Sequence, residues 1–468
     1  MAMISEPSST TSDAPRDARA ADALVRSLSV RDVVMITVSG VTPASSIFVI
    51  APFAIRQSGS GAVMSFVFGG LLALAFALCY AELGAAHRSA GGEYVMVKRV
   101  FGGLSGYLTF AAVLAVNAFI PAVLASGAAP YLNAALGTHI GNQPVALAIV
   151  FASYALGILN IRTNAWITGG FLVIEVLVLA LIAYLGFSAP HRSAFAFVNP
   201  VIVSGDALVP VTLAAIIPAI GTAIFCYNGF GTAVFLAEDL EGGNRDVAKA
   251  VICSLAVVLA VELVPLSAIV IGAPSFVELA KSPDPIGYVI RSLSSSAVSR
   301  VVSAGIFLSV FNAIIAIVIM TGRLLYSSGR HAMWAPACNA AFTRIHSRFE
   351  SPWGATLALA VPSMLLVFVS SLDELTVFTV DLLLLVYLAV GIAALASRVL
   401  RRDVEHHYRM PWWPLPPIVA IAGAGYTLYT TLAAAAGPTD LYIIAGIAGV
   451  AFAAYALWVR RSVPFRQL

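Results

Sequence analysis

Three carboxyls stand inside long apolar runs of this 468-residue chain: Glu175, Glu262 and Asp381. A charged carboxylate in hydrocarbon costs on the order of 3 kcal/mol, so each must face a bundle interior or a water path, find a donor, or keep its proton. A carboxyl closed off from water and then opened to it can take up and release a proton in turn. Glu175, well inside its run, is the first candidate for that coupling role, with Glu262 and Asp381 secondary. Two amides in similar runs, Asn117 and Asn312, need internal partners, either polar atoms of a solute or a neighbouring helix. A third signal is helix-breaking residues in mid-run: Ser39-Gly40-Val41-Thr42-Pro43-Ala44-Ser45, and Asn228 set between Phe225-Cys226-Tyr227 and Gly229-Phe230-Gly231-Thr232. Pro43 has no amide to donate and Gly40 loosens the backbone, so main-chain groups come free of the ladder. In hydrocarbon such groups are tolerable only where they line a protected cavity or bind something. The plain alternatives are a proline kink healed by Ser39 or Thr42, aromatic side chains that only pack, and asparagines that staple helices. In every version the chemistry is recognition rather than bond making.

The elements that must hold these residues follow from composition. Hydrophobic residues make up 60% of the chain and charged ones 10%, too few charges to cover a soluble fold of this size. Apolar runs near or above the roughly 20 residues that cross a bilayer predict an all-α polytopic membrane protein. About twelve spans are expected, at 33–54, 61–83, 104–128, 144–159, 165–187, 210–236, 248–271, 298–322, 354–371, 374–396, 416–434 and 440–459. On that division 21 of the 26 basic residues fall on one side, which puts both termini in the cytoplasm and makes the number of crossings even. Residues 1–29, rich in Ser, Asp and Arg without an apolar centre, read as a cytoplasmic tail, 30–460 as the transport domain and 461–468 as a second tail. The four cysteines lack the spacing of a disulfide framework or a metal site, and a net charge of +3 offers no nucleic-acid surface. Arginine outnumbers lysine, which points weakly to a GC-rich bacterial source and so to the inner membrane.

The two interrupted spans are first and sixth, five apart, as an inverted repeat of five plus five helices requires. The segments TVSGVTPASSIF (37–48), YAELGAAHRSAGGEYVMVKRVFG (80–102), FCYNGFGTAVFLAEDLEGGNRDVAKAV (225–251) and TGRLLYSSGRHAMWAP (321–336) resemble the amino acid, polyamine and organocation permease superfamily over about residues 28–460. That resemblance implies two intertwined five-helix repeats of the LeuT-like kind, about 33–187 and 210–396, two further helices at about 416–459, and a substrate site between the broken first and sixth helices. Some relatives carry a lysine near the position of Glu175, where its ammonium stands in for a coupling sodium ion; an acid here departs from that mechanism. Where many relatives read Arg-Asp-Gly, this chain reads Arg330-His331-Ala332, which removes the expected local partner of Arg330.

The expected substrate site comprises Ser39, Gly40, Val41, Thr42, Ala44, Ser45, Asn117, Phe225, Tyr227, Asn228, Gly229, Phe230 and Asn312. Amides at the start of a half-helix attract a carboxylate and carbonyls at the end of the preceding half attract an ammonium, so a zwitterionic amino acid fits both. An amine such as ethanolamine or a polyamine is the alternative. No P-loop, HExxH or dinucleotide-binding turn is present, so neither an enzyme nor an ATP-driven pump is indicated, and no cofactor or metal is called for. The remaining driving forces are a proton, a sodium ion or a counter-substrate, with the lipid bilayer as the surrounding partner.

Overall fold

The computed structural model describes residues 28–86, 92–159, 161–237, 240–282, 284–349, 351–400, 408–434 and 439–467, without the side chains of 161–170, 434, 466 and 467. Most of the N-terminal tail, residues 87–91 and 238–239 of the segments quoted above, and residues 401–407 lie outside the described residues.

Ser29 starts the first helix. Its hydroxyl accepts the Asp32 N–H at 3.3 Å while the Asp32 carboxylate accepts the Ser29 N–H at 2.9 Å, a reciprocal cap for α1 (Val30–Val41). The helix stops at Thr42, whose φ of 52° is left-handed, and at Pro43, which has no amide to continue the ladder. The chain resumes with one turn at Pro43–Ser45, a π-helical turn at Ser46–Ile50 and α2 (Ala51–Ser58). It turns at Gly59, where φ is +59°, into α3 (Ala62–Ala86). Then come α4 (Gly92–Phe101), α5 (Gly103–Leu136), α6 (Asn142–Gly157) and α7 (Ile161–Ser188). A small antiparallel hairpin, β1 (Val201–Ser204) with β2 (Ala207–Pro210), packs over the Gly59 turn, where the Val201 N–H donates to the Ser60 hydroxyl at 2.9 Å. The second interruption separates α8 (Leu213–Cys226) from the single turn α9 (Thr232–Phe235). The remaining long helices are α10 (Asn244–Gly272), α11 (Ser296–Arg330), α12 (Leu372–Val399), α13 (Leu415–Ala434) and α14 (Thr439–Leu457).

The bundle is all-α apart from the hairpin, but the expectation of about twelve spans, in two five-helix repeats plus two helices, is corrected. Among the described residues, seven helices are long and apolar enough to cross a membrane. The windows at 33–54 and 61–83 belong to one continuous helical stretch, Val30–Ala86, which counts once. Those at 144–159, 210–236 and 354–371 correspond to the shorter apolar helices Asn142–Gly157, Leu213–Cys226 and Trp353–Val369. α13, with two prolines and several glycines, threonines and tyrosines, is not among the seven. A hydropathy window registers apolar length and is blind to where a helix breaks. The charge count made on the twelve-span division loses its basis with that division.

α5 packs along α11 and α3 along α10, while α7 leans on α10 and α12 on α13. α3 lies close to α10 where Gly70 faces Leu259, and close to α8 where Gly69 faces the Ala223 methyl. The outer surface of α7 presents Val173, Val176 and Leu177 to the surroundings, apolar exposure suited to lipid. Both ends of the described chain lie on one face: the Leu28 carbonyl accepts the Glu241 N–H at 2.8 Å, Gly92 abuts Phe235, the Lys98 amine stands 4.7 Å over the Phe465 ring, and the Ser462 hydroxyl donates to the His331 carbonyl at 2.9 Å.

Candidate substrate-binding site

The interruptions of α1 and α8 meet. A Cβ added to Gly229, whose φ is +114°, would stand 3.2 Å from the Val41 Cα, so only glycine allows the second break this close to the first. The Ser46 hydroxyl donates across the gap to the Cys226 carbonyl at 2.8 Å. Between the breaks lies a cavity of ≈ 110 Å³, the liquid volume of about four water molecules. The broken segments give it Gly40, Val41, Thr42, Ser45, Ser46 and Ile50 on one side and Phe225, Asn228, Gly229 and Thr232 on the other; α5 adds Asn117, Ile120 and Leu124, and α11 adds Ile317 and Met320.

An account of the backbone shows which groups this leaves available. The carbonyl of Ser39 would pair with residue 43, a proline without an N–H. The carbonyl of Gly40 would pair with the amide of Ala44, but that amide donates to Glu175 Oε1 at 2.8 Å. The amides of Ser45 and Ser46 both turn back to the Thr42 carbonyl. The end of α1 therefore offers two uncommitted carbonyls, an electronegative helix terminus suited to an ammonium group. The restart of the helix, by contrast, has already spent the amides that a solute carboxylate would use.

Asn228 supplies the other polarity. Its Oδ1 accepts the Tyr387 hydroxyl at 3.0 Å, which fixes the amide so that its NH₂ is the free end. Tyr387, on α12, stacks on Phe76 at a centroid distance of 4.6 Å and on Phe230 at 5.9 Å, and Tyr80 meets both Phe230 and Tyr387 edge-on. The Tyr80 hydroxyl donates to Glu93 of α4 at 3.3 Å. A buried aromatic layer thus runs from Asn228 at the cavity to Glu93 of α4.

The structure gathers eight of the expected site residues around the cavity: Gly40, Val41, Thr42, Ser45, Asn117, Phe225, Asn228 and Gly229. It places the others elsewhere. Ser39 is half-buried outside the lining, and Ala44 points its amide at Glu175. Tyr227 donates its hydroxyl to the Phe66 carbonyl at 2.9 Å, Phe230 belongs to the aromatic layer, and Asn312 is buried in α11 with its Oδ1 unpartnered. Of the three acids, Glu175 touches the first break, Glu262 is fully buried in α10 with neither oxygen hydrogen-bonded, and Asp381 bonds the Thr431 hydroxyl of α13. Sequence reasoning missed Tyr387 and the tie in which Glu82, wholly buried on α3, accepts Arg398 Nε at 2.6 Å and the Met410 N–H at 2.7 Å. Both acids and tyrosines are common enough that nothing in the chain singled these out. Among the described residues no group of three or more metal-ligating side chains occurs.

Over residues 28–459 the sequence matches the amino acid permease family. The chain belongs to that family. It is 21% identical over 422 residues to a serine/threonine exchanger of Bacillus subtilis, covering 88% of this chain and 93% of that one. A methylthioribose transporter of the same organism is 20% identical, with 87% and 88% covered. A branched-chain amino acid permease of Lactococcus lactis is 22% identical, with 90% and 93% covered. This member of the permease family is accordingly a multi-pass membrane transporter of small polar or charged solutes, not an enzyme.

Proposed function

We propose that the protein moves an α-amino acid across the bacterial inner membrane by alternating access, with the solute held between the two helix interruptions. The observation that carries this reading is that Gly40, whose carbonyl has lost its helical partner, and Asn228, whose amide is fixed by Tyr387, line one small cavity from opposite breaks. An ammonium group fits the first and a carboxylate accepts from the second. A cavity with the volume of about four water molecules suits a small solute, and two of the relatives above are named for amino acids. Coupling is assigned to Glu175, whose carboxylate holds the Ala44 amide and so responds to any movement of the first helix. The face with both chain ends is placed in the cytoplasm on the strength of its basic residues.

One observation favours a second reading. Because Glu175 already occupies the amide that a carboxylate would seek, an amine without a carboxylate, such as ethanolamine, meets less competition at this site. Counterflow in proteoliposomes with labelled serine, threonine, isoleucine, ethanolamine and putrescine, each run alone, separates the two. Exchange of an amino acid with none for the amines is expected; exchange confined to the amines replaces the first reading with the second, and exchange of none refutes both.

A further inference from the structure

We propose that Glu175 and Glu262 together hold one exchangeable proton directly behind the substrate cavity, and that the first-helix break senses it through the Ala44 amide. The inference rests on the transport reading above and adds to it a second acid and a route of communication.

The placement comes from packing. The single turn Pro43–Ser45 touches α7, α10 and α11, so the restart of the first helix is wedged against the helices bearing both acids. Glu262 has no accessible surface and no hydrogen bond of good geometry on either oxygen, its one polar neighbour of that kind being the Ser46 hydroxyl. The Ser46 hydroxyl lies beside it, but its proton goes to the Cys226 carbonyl at 2.8 Å. Ser46 also lines the cavity, so a single side chain separates the acid from the solute. Glu175 is 2% exposed, and its charge reaches Glu262. The other titratable groups within electrostatic reach of Glu262 are the Cys226 thiol and the Tyr227 phenol. Among the described residues no lysine, arginine or histidine acts on either carboxyl.

Two neighbouring carboxylates in such a place cannot both be charged, because nothing replaces the lost hydration and each repels the other. The Ala44 N–H is a donor that favours an anion, so Glu175 is the one of the two that ionises first in this conformation. Glu262, without such a donor, carries the proton. When the restart of the first helix swings away, Glu175 loses its amide and the preference between the two acids is reversed. The proton then passes from the Glu262 carboxyl to the Glu175 carboxylate, with no other bond made or broken. A solute that pins the break pins the proton as well, which is the condition for coupling one to the other.

The test uses the whole protein in lipid and two independent readouts. Infrared difference spectra taken on a step from acidic to alkaline buffer, without solute, should show a protonated-carboxyl carbonyl band in the wild type that is lost in Glu262→Gln and retained in Glu175→Gln. A band undiminished in Glu262→Gln overturns the proposal, whatever is transported. In proteoliposomes, with labelled serine as probe, Glu262→Gln should keep zero-gradient exchange and lose at least tenfold of uptake driven by a pH gradient, while Glu262→Asp restores driven uptake in part. Driven uptake by Glu262→Gln equal to the wild type overturns the proposal. Absence of serine transport by the wild type bears on the choice of solute alone and leaves the infrared result standing by itself.

Discussion

Replacement of Gly40 separates binding from folding more cleanly than any other single change at the site. A Cβ built on Gly40 meets no protein atom within 4 Å, so it projects into the cavity instead of into a neighbour. Gly40 is helical, and alanine in a helix is favoured over glycine by about 1 kcal/mol, so Gly40→Ala should not destabilise the protein. The same methyl must share ≈ 110 Å³ with the solute. Overfilling a packed space costs about 1–3 kcal/mol, which corresponds to binding weaker by roughly 5-fold to 150-fold. Gly40→Leu adds four carbon atoms, enough to occupy most of a volume that holds about four waters, and should abolish binding. The assay is equilibrium binding of the solute identified by counterflow to purified protein, with thermal unfolding of the same samples measured alongside. Wild-type affinity in a folded Gly40→Leu protein would refute the placement of the solute between the breaks.

Two further perturbations test the surroundings of the site. Tyr387→Phe keeps the aromatic stack but removes the hydroxyl that orients Asn228; loss of one such bond is worth about 0.5–1.5 kcal/mol, so affinity should fall about twofold to tenfold at unchanged protein yield, and an unaltered Kd would show that Asn228 does not contact the solute. Docking of the C-terminal segment should strengthen as pH rises: burial, with Arg99 beside it, pulls the Lys98 ammonium down to about 8 from the ~10.4 of a free lysine, so the undocked form binds more protons between those values and docking is favoured above about 8. Slower carboxypeptidase trimming on raising pH through that range, with no pH effect in Lys98→Met, is the expected result; faster trimming would reverse the sign of the argument.

The helix interruptions were legible because they are written in residues that cannot do otherwise. Pro43 has no amide, and a glycine at 229 is required by its φ and by Val41 behind it, so the breaks announce themselves within apolar runs. Polar cavity residues followed from the same logic, since Asn117 and Asn228 need partners in a medium that offers none. The apolar walls were illegible: Ile120, Leu124, Ile317 and Met320 are the same residue types that face lipid elsewhere, and only the rotation of α5 and α11 assigns them to the cavity. Ser46 and Thr232 carried a weak signal as hydroxyls beside the breaks. The number of long helices was misjudged for a related reason. Hydropathy averages over a window, so it treats a continuous stretch with a turn at Gly59 as two objects and a short or broken helix as a full crossing.

What composition could not reveal is the pairing that gives the site its polarity. An anion at a helix start and a cation at a helix end are each favourable, so a break of this kind has two opposed appetites, and a zwitterion satisfies both from outside. Here the protein satisfies one of them itself. Glu175, reaching from α7 to the Ala44 amide at 2.8 Å, takes the place at the helix start and, by withdrawing that amide from the Gly40 carbonyl, sharpens the demand at the helix end. On the function proposed above, the first break is tuned toward an ammonium group, and recognition of a carboxylate is transferred to Asn228 on the second break, held in place by Tyr387. A solute bearing both charges must then bridge the two breaks, whereas an amine engages only the first. Bridging ties the halves of the cavity together as an amine cannot, so an amino acid should both bind and promote the closed state while a simple amine of the same size should bind and not be carried.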